Sequence, residues 1–132
     1  MSNHQIWDWY PFPRIHVFTN RKKSREFIKR KFDQDIAWLG KSAQTDYFSK
    51  GGEESQAVIT LCVDDESAAQ KAATIAHECS HVIDSWLEDI GEDSPGEEIR
   101  AYAVQCAVLT VLEQLGEEWL IKTPQTSKSS TE

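Results

Sequence analysis

Thr74-Ile75-Ala76-His77-Glu78-Cys79-Ser80-His81-Val82-Ile83-Asp84 decides how this chain is read. Ile75, Cys79, Val82, Ile83, Trp86, Leu87 and Ile90 recur at helical spacing and make one apolar stripe. His77, His81 and Asp84 lie on a different line, at i, i+4 and i+7. The helix therefore buries one face and offers another to a cleft. Residues four apart on a helix advance about 6 Å along the axis, and their side chains lie one above the other. Two imidazoles so placed reach one metal ion through Zn–N bonds of about 2 Å. Glu78 follows His77 directly, and in an H-E-x-x-H arrangement that carboxylate takes the proton of a metal-activated water. The bland alternative is a helix with two surface histidines. It is weakened because the chain has only four histidines and two of them form this pair.

A tetrahedral zinc site takes a third protein ligand and keeps its fourth position open. The stretch Ser94-Pro95-Gly96-Glu97-Glu98-Ile99-Arg100-Ala101-Tyr102 supplies the candidate. Ser94 reads as a helix N-cap, Pro95 as the first helical residue and Glu97 as the partner in a capping box. That occupies Glu97 and leaves Glu98 free. Glu98, Tyr102 and Gln105 share one face, while Ile99, Ala103, Cys106 and Val111 read as the buried side. Glu98 is the expected third ligand, with Glu97 behind it. Tyr102 or Gln105 could stabilise an oxyanion from the same face, although Tyr102 reads equally well as packing. Asp84 could orient a histidine N–H from behind, or it is a plain surface acid.

His77-Glu78-x-x-His81 followed by Glu98-x-x-Ala101-Tyr102 resembles the gluzincin branch of the zincin metallopeptidases. It looks most like small bacterial and phage-encoded zincin-like proteins, including ImmA/IrrE-type domains. The resemblance spans about residues 56–115. It implies Zn2+ held by His77, His81 and Glu98, with Glu78 as general base acting on a protein or peptide substrate. It also implies that residues 57–63 form the sheet edge that pairs with an extended substrate, or the neighbour of that edge.

The rest of the chain fits a single domain of 132 residues. The expected fold class is α+β: a minimal zincin-like domain, a small sheet with three main helices, one carrying the motif. Residues 1–13 read as an aromatic, proline-interrupted arm, 14–121 as the domain and 122–132 as a disordered Ser/Thr-rich tail. The arm packs over the core, serves as an attachment for a protein partner or plugs the cleft. Arg14 to Asn20 reads as a strand, and about Arg21 to Leu39 as a helix stopped by Gly40. Phe27, Ile28, Phe32, Ile36 and Leu39 form its apolar stripe. Residues 41–55 read as a loop or short irregular strand, and 56–63 as a nearly continuous apolar strand. Asp64-Asp65-Glu66-Ser67 is expected to cap the motif helix, with acids in its first turn. The last helix is expected from about Pro95 to Ile121 and, being apolar on nearly all sides, as the most buried one.

Cys62, Cys79 and Cys106 are an odd count without C-x-x-C and read as free thiols. With no apolar run of membrane length and no secretory signal at Met1-Ser2-Asn3-His4, the expected location is cytoplasmic. Net charge is −8. Residues 1–40 hold eight Lys/Arg against four Asp/Glu, so +4; the remainder holds six against eighteen, so −12. The acidic body argues against nucleic acid as a partner, and the basic face of residues 21–31 reads as solvated. Three function classes stand: a zinc peptidase, a zincin-fold partner-binding module with a structural metal, and a DNA-associated protein using residues 21–31.

Overall fold

The computed structural model describes residues 12–40, 42–49, 54–91 and 96–122. In chain order these form β1 (Arg14–Phe18), α1 (Arg21–Phe32), β2 (Ala43–Phe48), β3 (Gln56–Leu61), α2 (Ala68–Asp89), α3 (Glu97–Leu115) and α4 (Glu117–Ile121). The class is α+β, as expected. Residues 1–11 and 123–132, and with them most of the expected arm and tail, lie outside the described residues. So do Ser94 and Pro95.

The central strand is β3, and its composition explains why. Ala57 through Leu61 are all buried, so both faces of the strand must be covered. It pairs in parallel with β1, from Arg14 opposite Gln56 to Phe18 opposite Thr60. It pairs antiparallel with β2, from Ala43 opposite Leu61 to Phe48 opposite Gln56. The order β1-β3-β2 leaves β1 and β2 at the edges. Strand side chains alternate between faces. Ile15, Ala57, Ile59 and Leu61 join Ile75, Cys79, Val82, Ile83 and Trp86 of α2 and Ala103, Ala107 and Val111 of α3 in one core. Val58 and Thr60 point the other way, toward α1, where Ser24 and Ile28 are buried. The sheet is thus sandwiched between α1 on one side and the α2–α3 pair on the other. The free edge of β1 is closed by an amide: Gln114 Nε2 donates to the Ile15 carbonyl at 2.6 Å, and Val17 N–H donates back to Gln114 Oε1 at 3.2 Å.

Six expectations are corrected. Residues 43–48 form a regular strand, where a loop or short irregular strand was expected. The first helix stops at Phe32 and not at Gly40, because Asp33 adopts a left-handed conformation at φ 55° and returns its N–H to the Lys29 carbonyl. Residues 33–40 then run as an irregular strap that leaves Leu39 86 % exposed. The motif helix begins after Ser67, so Asp64, Asp65 and Glu66 precede the cap instead of filling the first turn. The final helix breaks at Gly116, whose φ of 87° suits glycine. It is also not the most buried: Ile99, Tyr102 and Leu109 are 37 %, 41 % and 55 % exposed, and only Ala103, Ala107 and Val111 are buried. Its N-cap is Gly96, with Glu97 and Glu98 in its first turn, so Glu97 is the first helical residue rather than a capping-box partner.

Trp86 is the largest fully buried side chain, and Phe12 meets it edge-on at 5.3 Å between ring centroids. Trp86→Ala is expected to lower unfolding free energy by about 3–5 kcal/mol in urea titration. A loss under about 1 kcal/mol would show that Trp86 does not anchor α2.

Candidate metal centre

The first turn of α2 is fixed by a reciprocal cap. Ser67 Oγ accepts from Gln70 N–H at 3.1 Å, and Gln70 Oε1 accepts from Ser67 N–H at 3.1 Å. From there Ile75, Cys79, Val82, Ile83, Trp86 and Leu87 are drawn into the core. Burying that stripe aims His77 and His81 outward, on the side of β2. The two Nε2 atoms stand 3.2 Å apart, with the rings nearly perpendicular at 83°. Two N–H groups cannot face each other at that distance, so at least one nitrogen presents a lone pair. Two nitrogens bound to one tetrahedral zinc at about 2.0–2.1 Å stand about 3.3 Å apart. The pair therefore fits two positions of a zinc shell.

Glu78, next to His77, is only 6 % exposed. Thr45, on β2, donates its hydroxyl to Glu78 Oε1 at 2.6 Å. His77, Glu78, His81 and Ser85 line a groove of about 590 Å³ whose opposite walls are β2 and the strap. A second hollow of about 340 Å³, between Ala43 and Ala73, also reaches His77 and Glu78.

The strap owes its place to polar ties. Arg25 Nη1 donates to the Ile36 carbonyl at 3.3 Å, and Arg25 Nη2 pairs with Asp46 at 2.7 Å. Its guanidinium also lies 5.5 Å from the Trp38 ring centroid. Gln44 Oε1 accepts from the N–H groups of Leu39 and Gly40 at 2.6 and 2.8 Å, while its Nε2 donates to the Ala37 carbonyl at 3.0 Å. Gly40 passes so close to the Ala43 carbonyl that a Cβ there would collide with it.

The structure sets His77, Glu78 and His81 along one groove, and Glu98 does not line it. Among the described residues no group of three or more His, Cys, Asp or Glu side chains is close enough to share one ion. Glu98, Tyr102 and Gln105 are exposed, and none of them lines either hollow beside the histidines. Asp84 is taken by Arg100, whose Nη2 and Nε reach Asp84 Oδ1 at 2.8 and 3.1 Å. That pair ties the first turns of α3 to α2 one turn past His81. Cys79 is no ligand candidate: it is fully buried, and burial pushes its thiol up to about 12. Cys62 and Cys106 are half-buried free thiols.

Sequence reasoning missed Thr45, Ser85 and the strap. Ser85 was legible, since it continues the His77–His81 line at i+8. Thr45 was not, because nothing in residues 43–48 shows which side of a strand it occupies until β3 sets the register. No protein-family model, curated protein or solved structure matches this chain. Among the described residues no helix is long and apolar enough to cross a membrane.

Tyr47 closes the far end of the groove, its hydroxyl donating to Asp89 Oδ2 at 3.2 Å. Burial pushes its phenol from 10.0 up to about 12, and the Asp89 charge adds to the shift. The folded state holds that proton more tightly than the unfolded chain. The contribution is therefore complete below pH 10 and is lost as pH rises toward about 12. Urea titrations across this window are expected to show a shallower fall for Tyr47→Phe than for the unaltered protein. Equal slopes would contradict the burial of Tyr47.

Proposed function

We propose that this chain is a zinc-dependent, zincin-like metallopeptidase domain that hydrolyses a peptide bond. The carrying observation is the 3.2 Å approach of His77 Nε2 to His81 Nε2 at the groove beside an edge strand. That spacing fits two ligands of one zinc ion, and without the ion it is the length of an N–H···N hydrogen bond between the rings. Bound there, zinc supplies Lewis acidity toward a water and a peptide carbonyl.

The remaining chemistry belongs to the chain. Glu78, adjacent to His77 and almost excluded from solvent, receives the water's proton and returns it to the departing amine. The edge strand β2 offers backbone groups to an extended peptide lying in the groove. β3, read from sequence as that edge or its neighbour, takes the neighbour's place in this assignment. Glu98 is the third ligand in this reading. It makes no hydrogen bond or ion pair among the described residues, and the Asp84–Arg100 pair keeps its turn beside α2. A metal there would take Glu98 as a donor only with the first turn of α3 nearer the histidines, so ligation would be coupled to the packing of α3.

A second reading rests on the Thr45–Glu78 hydrogen bond. A carboxylate committed to a strand hydroxyl is a structural tie, and the domain then keeps its metal as a staple while acting by binding a partner.

Competition titration against a chelating indicator separates the readings. The full chain is expected to bind about one zinc. Glu98→Ala is expected to weaken binding about 10- to 100-fold, and His77→Ala or His81→Ala by more, with Glu97→Ala unchanged. Glu78→Gln is expected to keep the zinc and lose hydrolysis of a mixed-peptide substrate. Absence of zinc binding by the unaltered chain overturns both readings. Zinc binding with no hydrolysis, or hydrolysis that survives Glu78→Gln, overturns the peptidase assignment.

A further inference from the structure

We infer that Thr45 is a positioning residue whose hydroxyl keeps Glu78 from becoming a metal ligand. The inference rests on the zinc reading of the same site.

His77 and His81 supply two nitrogens, and no third His, Cys, Asp or Glu is gathered with them among the described residues. With Glu98 exposed on the first turn of α3 rather than beside them, an ion first meeting these two nitrogens would have open positions and an uncompensated charge, and the nearest carboxylate along the chain is Glu78. A carboxylate drawn onto the cation loses its use as a base, because its lone pairs are then committed to the metal. Something must oppose that collapse, and Thr45 stands where it can. Its hydroxyl donates to Glu78 Oε1 at 2.6 Å, a short bond to a side chain only 6 % exposed, and lies farther, at 3.3 Å, from the Glu78 carbonyl.

The donor is also rigid. Thr45 sits opposite Ile59 of the fully buried central strand, so its backbone is fixed by the sheet register. Its β-branched side chain has little χ1 freedom. Ala43 and Tyr47, its i−2 and i+2 neighbours, pack against the core on the same side of β2, which holds Thr45 turned toward α2. Gln44 and Asp46 on the opposite side are tied to the strap and to Arg25, so β2 is held from both faces.

Co2+ titration of the full chain, followed by its visible absorption spectrum, tests this without reference to catalysis. Thr45→Val keeps the shape and removes the donor. It is expected to bind Co2+ about tenfold or more tightly than the unaltered chain and to change the spectrum. Thr45→Ser keeps the donor and is expected to match the unaltered chain. The double variant Thr45→Val/Glu78→Gln is expected to lose the gain, because the amide is a poor ligand. A role limited to tying β2 to α2 would lower the melting temperature without any gain that depends on Glu78. Unchanged Co2+ affinity and spectrum in Thr45→Val overturn the inference, as does a gain that survives Glu78→Gln. Failure of the unaltered chain to bind Co2+ overturns the metal reading itself, and this assignment with it.

Discussion

One helix has to satisfy two demands at once, and the rest of the molecule is arranged around that constraint. α2 buries Ile75, Cys79, Val82, Ile83, Trp86 and Leu87 against the sheet and α3. With 3.6 residues per turn, fixing that stripe fixes the rotation of the helix about its own axis. The direction of His77 and His81 follows. A rotation by one residue, about 100°, would carry the imidazoles away from the groove and expose apolar side chains worth about 1.5–3 kcal/mol each in burial. The site's geometry is thus enforced by hydrophobic packing on the side of the helix that never meets a ligand. Glu78 is the one polar residue admitted on the buried side near the motif, and Thr45 meets it there.

The other half of the groove is built by polar ties instead. Arg25 leaves the basic face of α1 to join Asp46, Trp38 and the carbonyls of the strap, while the Gln44 amide holds Ala37, Leu39 and Gly40 of the strap. Such a wall needs few apolar residues, which accounts for Leu39 standing exposed at its rim. At the opposite end, the fully buried Lys71 donates to the Trp119 carbonyl at 2.6 Å and lies 4.5 Å from that indole ring. The Trp119 N–H in turn donates to Asp64 at 2.8 Å, so α4 is clamped across the start of α2. A buried ammonium satisfied by a carbonyl and an aromatic face is an expensive device, tolerated where it holds one element in one place.

The sequence was legible where periodicity and burial coincide. β1 and α2 were readable because their apolar positions repeat at the period of the element that they form, and β3 because its apolar run is short and nearly continuous. It was less legible where side chains serve individual partners. In Ala43-Gln44-Thr45-Asp46-Tyr47-Phe48 the polar residues answer to the strap, Glu78 and Arg25, so alternation of apolar and polar residues is hidden. Ile36 and Leu39 continued the stripe of α1 past its true end, which Asp33 sets by a local backbone turn. In α3 an apolar composition suggested deep burial, yet only the narrow line of Ala103, Ala107 and Val111 is buried, since the helix packs at the rim of the α2 layer. Of the site, His77, Glu78 and His81 share one helix and could be read from spacing alone. Bringing Glu98 to them requires a particular angle between two helices, which spacing within one helix does not specify.

X-ray absorption at the zinc edge of the loaded chain reads the donors themselves. Two imidazole nitrogens at about 2.0–2.1 Å are expected, with oxygen donors completing a four- or five-coordinate shell. A shell of oxygens alone, or one containing sulfur at about 2.3 Å, would contradict a zinc ion shared by the two histidines.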